Sequence, residues 1–213
     1  MGKSNISSSV IKRLPRYYRF LGDLHNRGIE CISSGDLARR MGLTASQIRQ
    51  DLNCFGGFGQ QGYGYNIAQL REKIGEILGV LNHKKTILVG AGNLGRAIAL
   101  HMDFQSKGYQ FIGVFDKKPS HIGQIVAGIT VRNISDLDEY CKENKPEIAI
   151  LCIPKEETME IAKQLVRLGI KGFWNFTHYD LAMEYPDVVV ENVHLGDTLM
   201  TLSYNVTHKN EKE

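Results

Sequence analysis

The chain has 213 residues, of which 42% are hydrophobic and 23% are charged, with a formal net charge of +3. This length suggests one or two domains, and the composition excludes a disordered tail, a collagen-like chain and a pure coiled coil. No window approaches the ~18 consecutive apolar residues of a membrane span, and the N-terminus lacks the apolar region of a secretory signal. We therefore expect a soluble, cytoplasmic protein with no membrane partner.

The charge is unevenly distributed along the chain. Residues 1–82 contain 11 Lys and Arg against 6 Asp and Glu, a net charge of +5. The remaining residues contain 15 against 17, a net charge of −2. This asymmetry predicts two units with different partners, of which the basic one suits a nucleic acid. Chance asymmetry is the alternative, because so small an excess is weak evidence by itself.

Three helices are predicted in the basic part of the chain. The first begins near Ser9, because apolar residues then recur at steps of three or four, and Pro15 predicts either a kink or the real start. The second runs from Ser34 to Met41, and a capping box of Thr44 and Gln47 opens the third. Two short helices joined by three residues have the sequence form of a helix-turn-helix, although many helical pairs share that form.

The next segment, residues 56–64, reads GGFGQQGYG and contains five glycines, too many for a helix. Glycines allow positive φ and a close approach of the backbone to a partner surface, so the segment predicts a β-hairpin, or wing, beside the third helix. A flexible surface loop is the alternative. A fourth helix, capped by Asn66, is predicted over residues 67–81 with this apolar face: Ile67, Leu70, Ile74, Ile77, Leu78 and Leu81.

Beyond residue 85 the pattern alternates between apolar strands and amphipathic helices. Alternation of this kind predicts an α/β fold with a doubly wound parallel sheet built from βαβ units. An irregular loop with one short strand is expected at residues 120–134. The predicted strands are 86–90, 110–115, 147–153, 171–176 and 187–190, and the predicted helices are 94–106, 135–144 and 156–168.

A glycine-rich loop follows the first of these strands and opens a helix. The sequence Gly90-Ala91-Gly92-Asn93-Leu94-Gly95 is G-x-G-x-x-G, and Asp116 ends the next strand at the spacing expected of a dinucleotide site. The glycines would let the backbone reach a pyrophosphate, and Asp116 would bind the adenosine ribose and repel a 2′-phosphate. NAD(H) is thus favoured, although Lys117 and Lys118 weaken the case against NADP. A ligand-free Rossmann-like core and a site for coenzyme A are the alternatives.

These patterns predict three segments: a winged-helix domain over residues 1–83, a Rossmann-type domain over 84–192 and a C-terminal helix with its tail over 193–213. The third predicted strand of the second domain ends at Ile153 and Pro154, beside the expected ligand crevice, with Cys152 as a core residue. Only about 45 residues follow the next helix, which is little room for a substrate domain. A sensor is therefore favoured over an enzyme, and an NAD-dependent oxidoreductase is the rival class.

Four segments, SVIKRLPRYYRFL, TASQIRQDLNCFGGFGQQGYGYN, GAGNLG and ENVHLGDTLMTLSY, together resemble Rex, the family of redox-sensing transcriptional repressors of bacteria. The resemblance covers about residues 8–206. It implies a homodimer without enzymatic activity that binds a palindromic operator in double-stranded DNA when NADH is scarce. NADH binding would release the DNA, and the C-terminal helix would be exchanged between subunits.

The resemblance also implies roles for individual residues on the DNA side. Arg49 and Gln50 match the positions that read the major groove, where Arg pairs with guanine and Gln with adenine. The alternative for the arginines is a solvated helix face. The other residues implied are Thr44 and Ser46 near phosphates, Gln60, Gln61 and Tyr63 in the minor groove, Arg13 and Arg16 on the first helix, and Arg19 between the domains.

Near the nicotinamide the resemblance implies contacts from His101 and Phe176, in addition to the residues named above. The chain departs from the family at three places there: His101 stands for a usual Tyr, Thr177-His178 for Ala-Pro, and His194 for an Asp of some members. Convergence of these histidines would make a switch that responds to pH or metal. A further alternative is accordingly a Rex-like DNA-binding protein with an altered or lost NADH response.

Overall fold

The structure, a computed structural model, describes residues 6–56, 59–60 and 64–209, with the backbone alone described at 59–60. The chain divides between Leu81 and Asn82 into two compact units, an N-terminal and a C-terminal unit. The elements of the N-terminal unit are α1 Ser8–Asn26, β1 Cys31–Ile32, α2 Ser34–Met41, α3 Ala45–Asn53, β2 Gly59–Gln60, β3 Gly64–Asn66 and α4 Ile67–Leu78.

Helix α1 continues through Pro15, which is therefore not its start. An internal proline removes one backbone hydrogen bond and costs about 3 kcal/mol in an isolated helix. Here the helix is held by its apolar face, since Leu14, Tyr17 and Leu21 are completely buried in the core of the unit. Tertiary burial therefore outweighs the local preference of proline.

The predicted caps of the short helices are present, with one exception. Gly42 ends α2 in the left-handed conformation, at φ 64°, and Thr44 Oγ1 accepts a hydrogen bond of 3.1 Å from the Gln47 amide at the start of α3. The other half of the predicted capping box is wrong. The Gln47 side chain does not return to Thr44 but donates to Asp51, because that buried carboxylate offers a stronger acceptor one turn further along.

Strands β2 and β3 pair antiparallel, as the predicted hairpin requires, and β1 joins the other edge of β3. Gly64 has φ 78°, and a Cβ there would lie 2.5 Å from the carbonyl oxygen of Ile32, so only glycine fits this close approach. Asn66 caps α4 as predicted. The helix nevertheless ends at Gly79, at φ 73°, which leaves Leu81 exposed instead of on the buried face.

The C-terminal unit alternates strands and helices. Its elements are β4 Lys84–Val89, α5 Asn93–His101, β5 Tyr109–Asp116, β6 Ile125–Val126, β7 Ile129–Asn133, α6 Leu137–Asn144, β8 Ile148–Leu151, α7 Lys155–Arg167, β9 Gly172–Asn175, α8 Leu181–Glu184, β10 Val189–Asn192 and α9 Leu195–Thr207. Within the described residues these strands form a seven-stranded sheet in the order β10-β9-β8-β4-β5-β7-β6. All neighbouring strands are parallel except β6, which pairs antiparallel with β7 at the edge.

Two expectations for this unit need correction. Helix α5 ends at His101 and not near 106, because the chain becomes extended at Met102 and the Phe104 ring turns inward to stack on Phe111 with centroids 4.6 Å apart. The segment 120–134 forms two short strands instead of one. Two-residue strands give no readable alternation, since one residue on each face cannot define a period.

The sheet is covered on both faces, as in a doubly wound fold. Ile87 and Val89 point to one cluster and Leu88 to the other, because successive side chains of a strand alternate. Helix α9 differs from the other long helices: none of its residues, all of them described, is buried. Its apolar residues at steps of four, three and four are exposed: Leu195, Leu199, Leu202 and Val206.

Among the described residues, we find no helix with the length and apolar character needed to cross a bilayer.

Candidate functional sites

The carboxyl edge of the parallel sheet holds a cleft of about 230 Å³. Strand β4 lies between β5 and β8, and the chain winds in opposite directions on its two sides. At such a switch point the loops after neighbouring strands diverge and leave a crevice, the usual ligand site of doubly wound folds. The cleft is lined by Gly90 and Gly92 after β4, by residues 116–118 at the end of β5 and just beyond it, and by residues 152–154 after β8.

The three glycines of the loop after β4 differ in the space available for a side chain. Gly90 has φ 102°, and a Cβ there would lie 2.3 Å from the Cys152 carbonyl oxygen. A Cβ on Gly95 would lie 1.9 Å from the Gly90 carbonyl oxygen, so α5 packs against the loop only because this residue is glycine. A Cβ on Gly92 would meet no described atom within 4 Å. The loop therefore leaves open space at Gly92, next to the start of α5, where the amides of a helix N-terminus suit a pyrophosphate.

Asp116 lies at the end of β5, directly beside this loop, and is 8% exposed. Its carboxylate accepts hydrogen bonds from the Ala91 amide at 2.6 Å and from the Lys118 amide at 2.7 Å, and it lies 3.0 Å from Nδ1 of His121. Burial by itself raises the pKa of Asp116, but these three contacts reverse the effect and hold it below its ordinary value. Asp116 is accordingly a charged acceptor that also fixes the glycine loop.

The loop after β5 carries further polar groups at the cleft. Lys117 pairs with Glu157 of α7 across the opening, with 2.5 Å between Nζ and Oε1. Arg96 of α5 donates to the Ala91 carbonyl at 2.8 Å and also bonds the Gln124 side chain. The Arg96 contacts and the His121–Asp116 pair fasten the loop after β5 to the glycine loop, whereas the Lys117–Glu157 pair ties it to α7. His121 and Glu157 are not evident from the sequence, in which only the position of His121, five residues after Asp116, hints at a contact.

The other residues predicted to bind the cofactor lie at different distances from the cleft. Ile153 and Pro154 line it, together with Cys152. Burial raises the pKa of the Cys152 thiol to about 12, so this residue stays protonated and is a poor nucleophile. The Phe176 amide donates to the Leu151 carbonyl at the end of β8, next to the cleft. Asn93 and Leu94 form the exposed first turn of α5, whereas His101 lies at its opposite end and does not line the cleft.

Two of the three histidines predicted to converge do so. The rings of His178 and His194 stack, with centroids 5.5 Å apart and planes 7° from parallel, at the start of α9. In the part of the chain that the structure describes, no three His, Cys, Asp or Glu side chains gather closely enough to hold a metal ion. His101 thus does not complete a metal site with this pair, and that version of the hypothesis is wrong for the single chain.

Helix α3 presents a polar, exposed face in the N-terminal unit. Ser46, Arg49 and Gln50 lie on it, and Thr44 is exposed at its start. Arg49 donates to the Ser34 hydroxyl of α2 at 3.1 Å, so its guanidinium is held over the junction of the two helices. Ile48 and Leu52 on the opposite face are buried in the core. The arrangement leaves one complete helix face free for contact with a partner.

Arg13 and Arg16 of α1, which were also expected to contact DNA, make hydrogen bonds inside the N-terminal unit. Arg13 binds Asp51 of α3 through two nitrogens, at 2.7 and 2.8 Å, and Arg16 donates to the Met41 carbonyl at the end of α2. Both side chains therefore hold the helices together. The role of Asp51 is not evident from the sequence: this residue is 1% exposed and also accepts hydrogen bonds from the Tyr17 hydroxyl at 2.7 Å and the Gln47 side-chain amide at 2.8 Å.

Of the predicted wing residues, the structure describes only the backbone of Gln60. Gln60 lies in β2, where the backbone is described and the side chain is not, and Gln61 and Tyr63 lie outside the described residues.

Fold and sites define a class of protein, one with a helix-turn-helix and wing in its first unit and a dinucleotide-type cleft in its second. Family models agree: one described as a putative DNA-binding protein N-terminus matches residues 5–53, and one described as a CoA binding domain matches residues 81–179. The redox-sensing transcriptional repressor Rex of Caldicellulosiruptor saccharolyticus is 48% identical over 97% of this chain and 94% of its own length. The Rex protein of Clostridioides difficile is 50% identical over 96% of this chain and 97% of its own. The chain belongs to the Rex family.

Solved structures of a Rex-family repressor named RSP have the same fold. RSP in complex with β-NAD⁺ and operator DNA is 46% identical, with a TM-score of 0.88 over 98% of this chain and 95% of that one. RSP in complex with β-NADH is 44% identical, with a TM-score of 0.87 over 98% of this chain and 97% of that one. The predicted fold class, an N-terminal winged helix followed by a Rossmann-type sheet, is confirmed.

Proposed function

We propose that this protein is a homodimeric transcriptional repressor that binds a palindromic operator and is released from it by NADH. The likeness to RSP carries this proposal, because that relative was crystallised with both operator DNA and the two forms of NAD, and it matches this chain over nearly its whole length. The free face of α3 and the cleft after β4 are the local features that support it.

The N-terminal unit has what duplex recognition requires. The reading residues proposed are Arg49 and Gln50, which are exposed side by side on α3 and of types that pair with guanine and adenine. Thr44 and Ser46 would contact phosphates at the start of the same helix, and Gln60, Gln61 and Tyr63 would follow in the wing. Arg13 and Arg16 of α1 are proposed to contribute to the same DNA contact, while each also keeps a hydrogen bond within the unit.

The C-terminal unit has what a dinucleotide requires. The loop from Gly90 to Gly95 would hold the pyrophosphate at the start of α5, and Asp116 would accept hydrogen bonds from the adenosine ribose. Ile153, Pro154 and Phe176 would border the dinucleotide at the end of β8. We propose that NADH acts as a redox signal and is not consumed, so that the protein is not an enzyme. Such a ligand shifts a two-state equilibrium only by its difference in affinity for the two states.

The exposed apolar face of α9 supports the homodimer. A face with Leu195, Leu199 and Leu202 open to water is unfavourable in a lone chain, at roughly 25 cal/mol per Å² of apolar surface left exposed. We propose that residues 193–213 form the dimerisation segment, exchanged between two copies, and that residues 1–83 and 84–192 form the DNA-binding and nucleotide-binding domains. DNA and NADH are both intracellular, so the cytoplasm is the proposed location.

Operator binding tests the proposal directly. A labelled duplex with two-fold symmetry is first enriched from a random palindromic pool by its binding to this protein. Its affinity is then compared with that of its scrambled form at one stated salt concentration, because phosphate contacts depend steeply on salt. We expect preference for the symmetric duplex and a loss of affinity of at least about tenfold when NADH is added. NAD⁺ and coenzyme A, titrated separately, are expected to leave binding in place.

Each rival function predicts a different result in this experiment. No preference for the symmetric duplex would contradict the DNA-binding role and favour an oxidoreductase, for which turnover of hydroxy acids and aldehydes is the assay. Preference without any effect of NADH would favour the Rex-like protein with a lost response. Release by coenzyme A instead of NADH would assign the cleft to the other nucleotide.

Arg49→Ala is expected to weaken operator binding by about 1–3 kcal/mol and to relax the preference for one base pair. The reason is that the base edge would lose the paired hydrogen bonds that the Arg49 guanidinium donates to it. Lys73→Ala, which removes an equal charge from an exposed pair on α4, is the control and should leave base preference unchanged. An unaltered base preference in the Arg49 variant would show that α3 is not the reading helix.

A further inference from the structure

A salt bridge crosses the cleft between the ends of two strands that are not neighbours. Lys117 follows β5, and its Nζ atom lies 2.5 Å from Oε1 of Glu157 in the first turn of α7, the helix after β8. Both residues line the cleft. Because β4 lies between β5 and β8, the pair joins segments that follow strands two spacings apart, roughly 9–10 Å. It therefore bridges the crevice where the loops diverge.

The segments that carry this salt bridge are held in place, whereas its two side chains are not. On α7 the next residue, Thr158, is completely buried. The loop after β5 is fastened on its other side by His121, which lies 3.0 Å from Asp116. The side chains of Lys117 and Glu157, in contrast, are 62% and 26% exposed. So exposed a pair is weak, and it can open by side-chain rotation without movement of the sheet or the helix.

The size of the cleft indicates that the pair has to open. With the salt bridge formed, the cleft measures about 230 Å³. Pockets that enclose drug-sized ligands measure about 300–1,000 Å³, and a dinucleotide is no smaller than such ligands. A nucleotide that enters between the diverging loops must consequently displace the side chains that bridge them.

We propose that Lys117 and Glu157 form a clasp over the cleft, which opens to admit NADH and closes again over the bound nucleotide. The inference rests on the proposed NADH function. Since the clasp has to open both for entry and for release, it slows the two steps by a similar factor and alters the affinity little. It therefore sets how quickly the protein follows a change in NADH concentration.

Stopped-flow kinetics of NADH binding to the full chain test this. Fluorescence of the reduced nicotinamide gives the association and dissociation rates at fixed pH for the wild type, Lys117→Ala and Glu157→Ala. In each variant both rates are expected to rise about threefold, the factor that corresponds to the loss of an exposed ion pair. Added salt should speed release from the wild type, because it screens the pair, and should have less effect on the variants.

The signs of these changes distinguish a clasp from simple attraction between charges. NADH is an anion, so charge alone predicts that loss of Lys117 slows association and that loss of Glu157 slows release. A clasp predicts that both rates rise in both variants. Glu156→Ala removes the same charge from the same turn of α7, at an exposed residue that does not line the cleft, and should leave both rates unchanged.

The outcomes separate this inference from the proposed function. Opposite changes in the two variants, or rates equal to those of the wild type, overturn the clasp and leave the proposed function intact. If the wild type does not bind NADH, the proposed function fails and the clasp fails with it.

Discussion

Gly95→Ala is expected to abolish the response to NADH and to destabilise the C-terminal unit by about 3 kcal/mol, the upper range for an overfilled core. The added methyl would lie 1.9 Å from the Gly90 carbonyl oxygen and 3.4 Å from Leu88 Cδ2. The first of these is a backbone atom, so relief requires α5 to move away from β4 and open the loop. Calorimetry and NADH titration of the full chain measure the two effects.

Two further glycines serve as comparisons for this prediction. Gly92→Ala places its methyl in space that no described atom occupies, at an ordinary φ of −72°, and should leave stability nearly unchanged while it removes NADH binding. Gly196→Ala, in α9 and free of described neighbours, should change stability by less than about 1 kcal/mol and leave NADH binding intact. Normal NADH affinity in the Gly92 variant would contradict the placement of the pyrophosphate.

Asp51→Ala is expected to loosen α3 by about 3 kcal/mol and to reduce operator affinity without direct loss of a DNA contact. The change leaves the Tyr17 hydroxyl, on a residue with no exposed surface, without its acceptor and releases Arg13 from both of its hydrogen bonds. Hydrogen exchange of the α3 amides in the full chain reports the local stability, and the selected duplex reports the affinity.

The Asp51 carboxylate predicts that the stability of α3 falls at acid pH. Burial raises the pKa of Asp51, but hydrogen bonds from Arg13, Tyr17 and Gln47 outweigh it, so the pKa lies below its ordinary value. A carboxyl group with a depressed folded pKa contributes stability that is complete above its unfolded pKa of about 3.9 and is lost as the pH falls through the folded pKa. Protection of α3 in Asp51→Asn should therefore change less than in the wild type over this acid range.

Arg39→Ala is the matched control for the Asp51 variants. It breaks an ion pair with Asp36 whose two side chains are 80% and 49% exposed, and such pairs contribute about 0–1 kcal/mol. The opening free energy of α3, measured by hydrogen exchange of its amides, should therefore change by no more than about 1 kcal/mol. If Asp51→Ala were as mild as this control, the buried network would not be what holds the reading helix.

The elements read most accurately from the sequence were those that depend on neighbouring residues. Thr44, Asn66 and Gly42 were recognised as caps because a helix end is stabilised by side chains and backbone within four residues of it. The glycine loop and Asp116 were likewise found together, since the strand, the turn and the spacing to the next strand are all written in the chain. Resemblance to Rex added the reading positions on α3.

Contacts between distant parts of the chain were not readable in this way. Asp51 on a short polar helix has the pattern of an exposed residue, and its burial is favourable because of partners that include two distant ones on α1, Arg13 and Tyr17. For the same reason the sequence gives no sign that Arg13 pairs with Asp51. His121 lies in a loop without a period, and its contact with Asp116 exists only because the loop folds back over the end of β5.

The sequence by itself determined the two-domain order, the type and approximate position of most elements, and the site of the glycine loop, because backbone preference and hydrophobic period act over a few residues. The tertiary structure alone decided which charged groups face inward, where α4 and α5 end, and which side chains surround Asp116. Those outcomes depend on burial and on partners brought together by the fold, and neither is encoded in the spacing of residues along the chain.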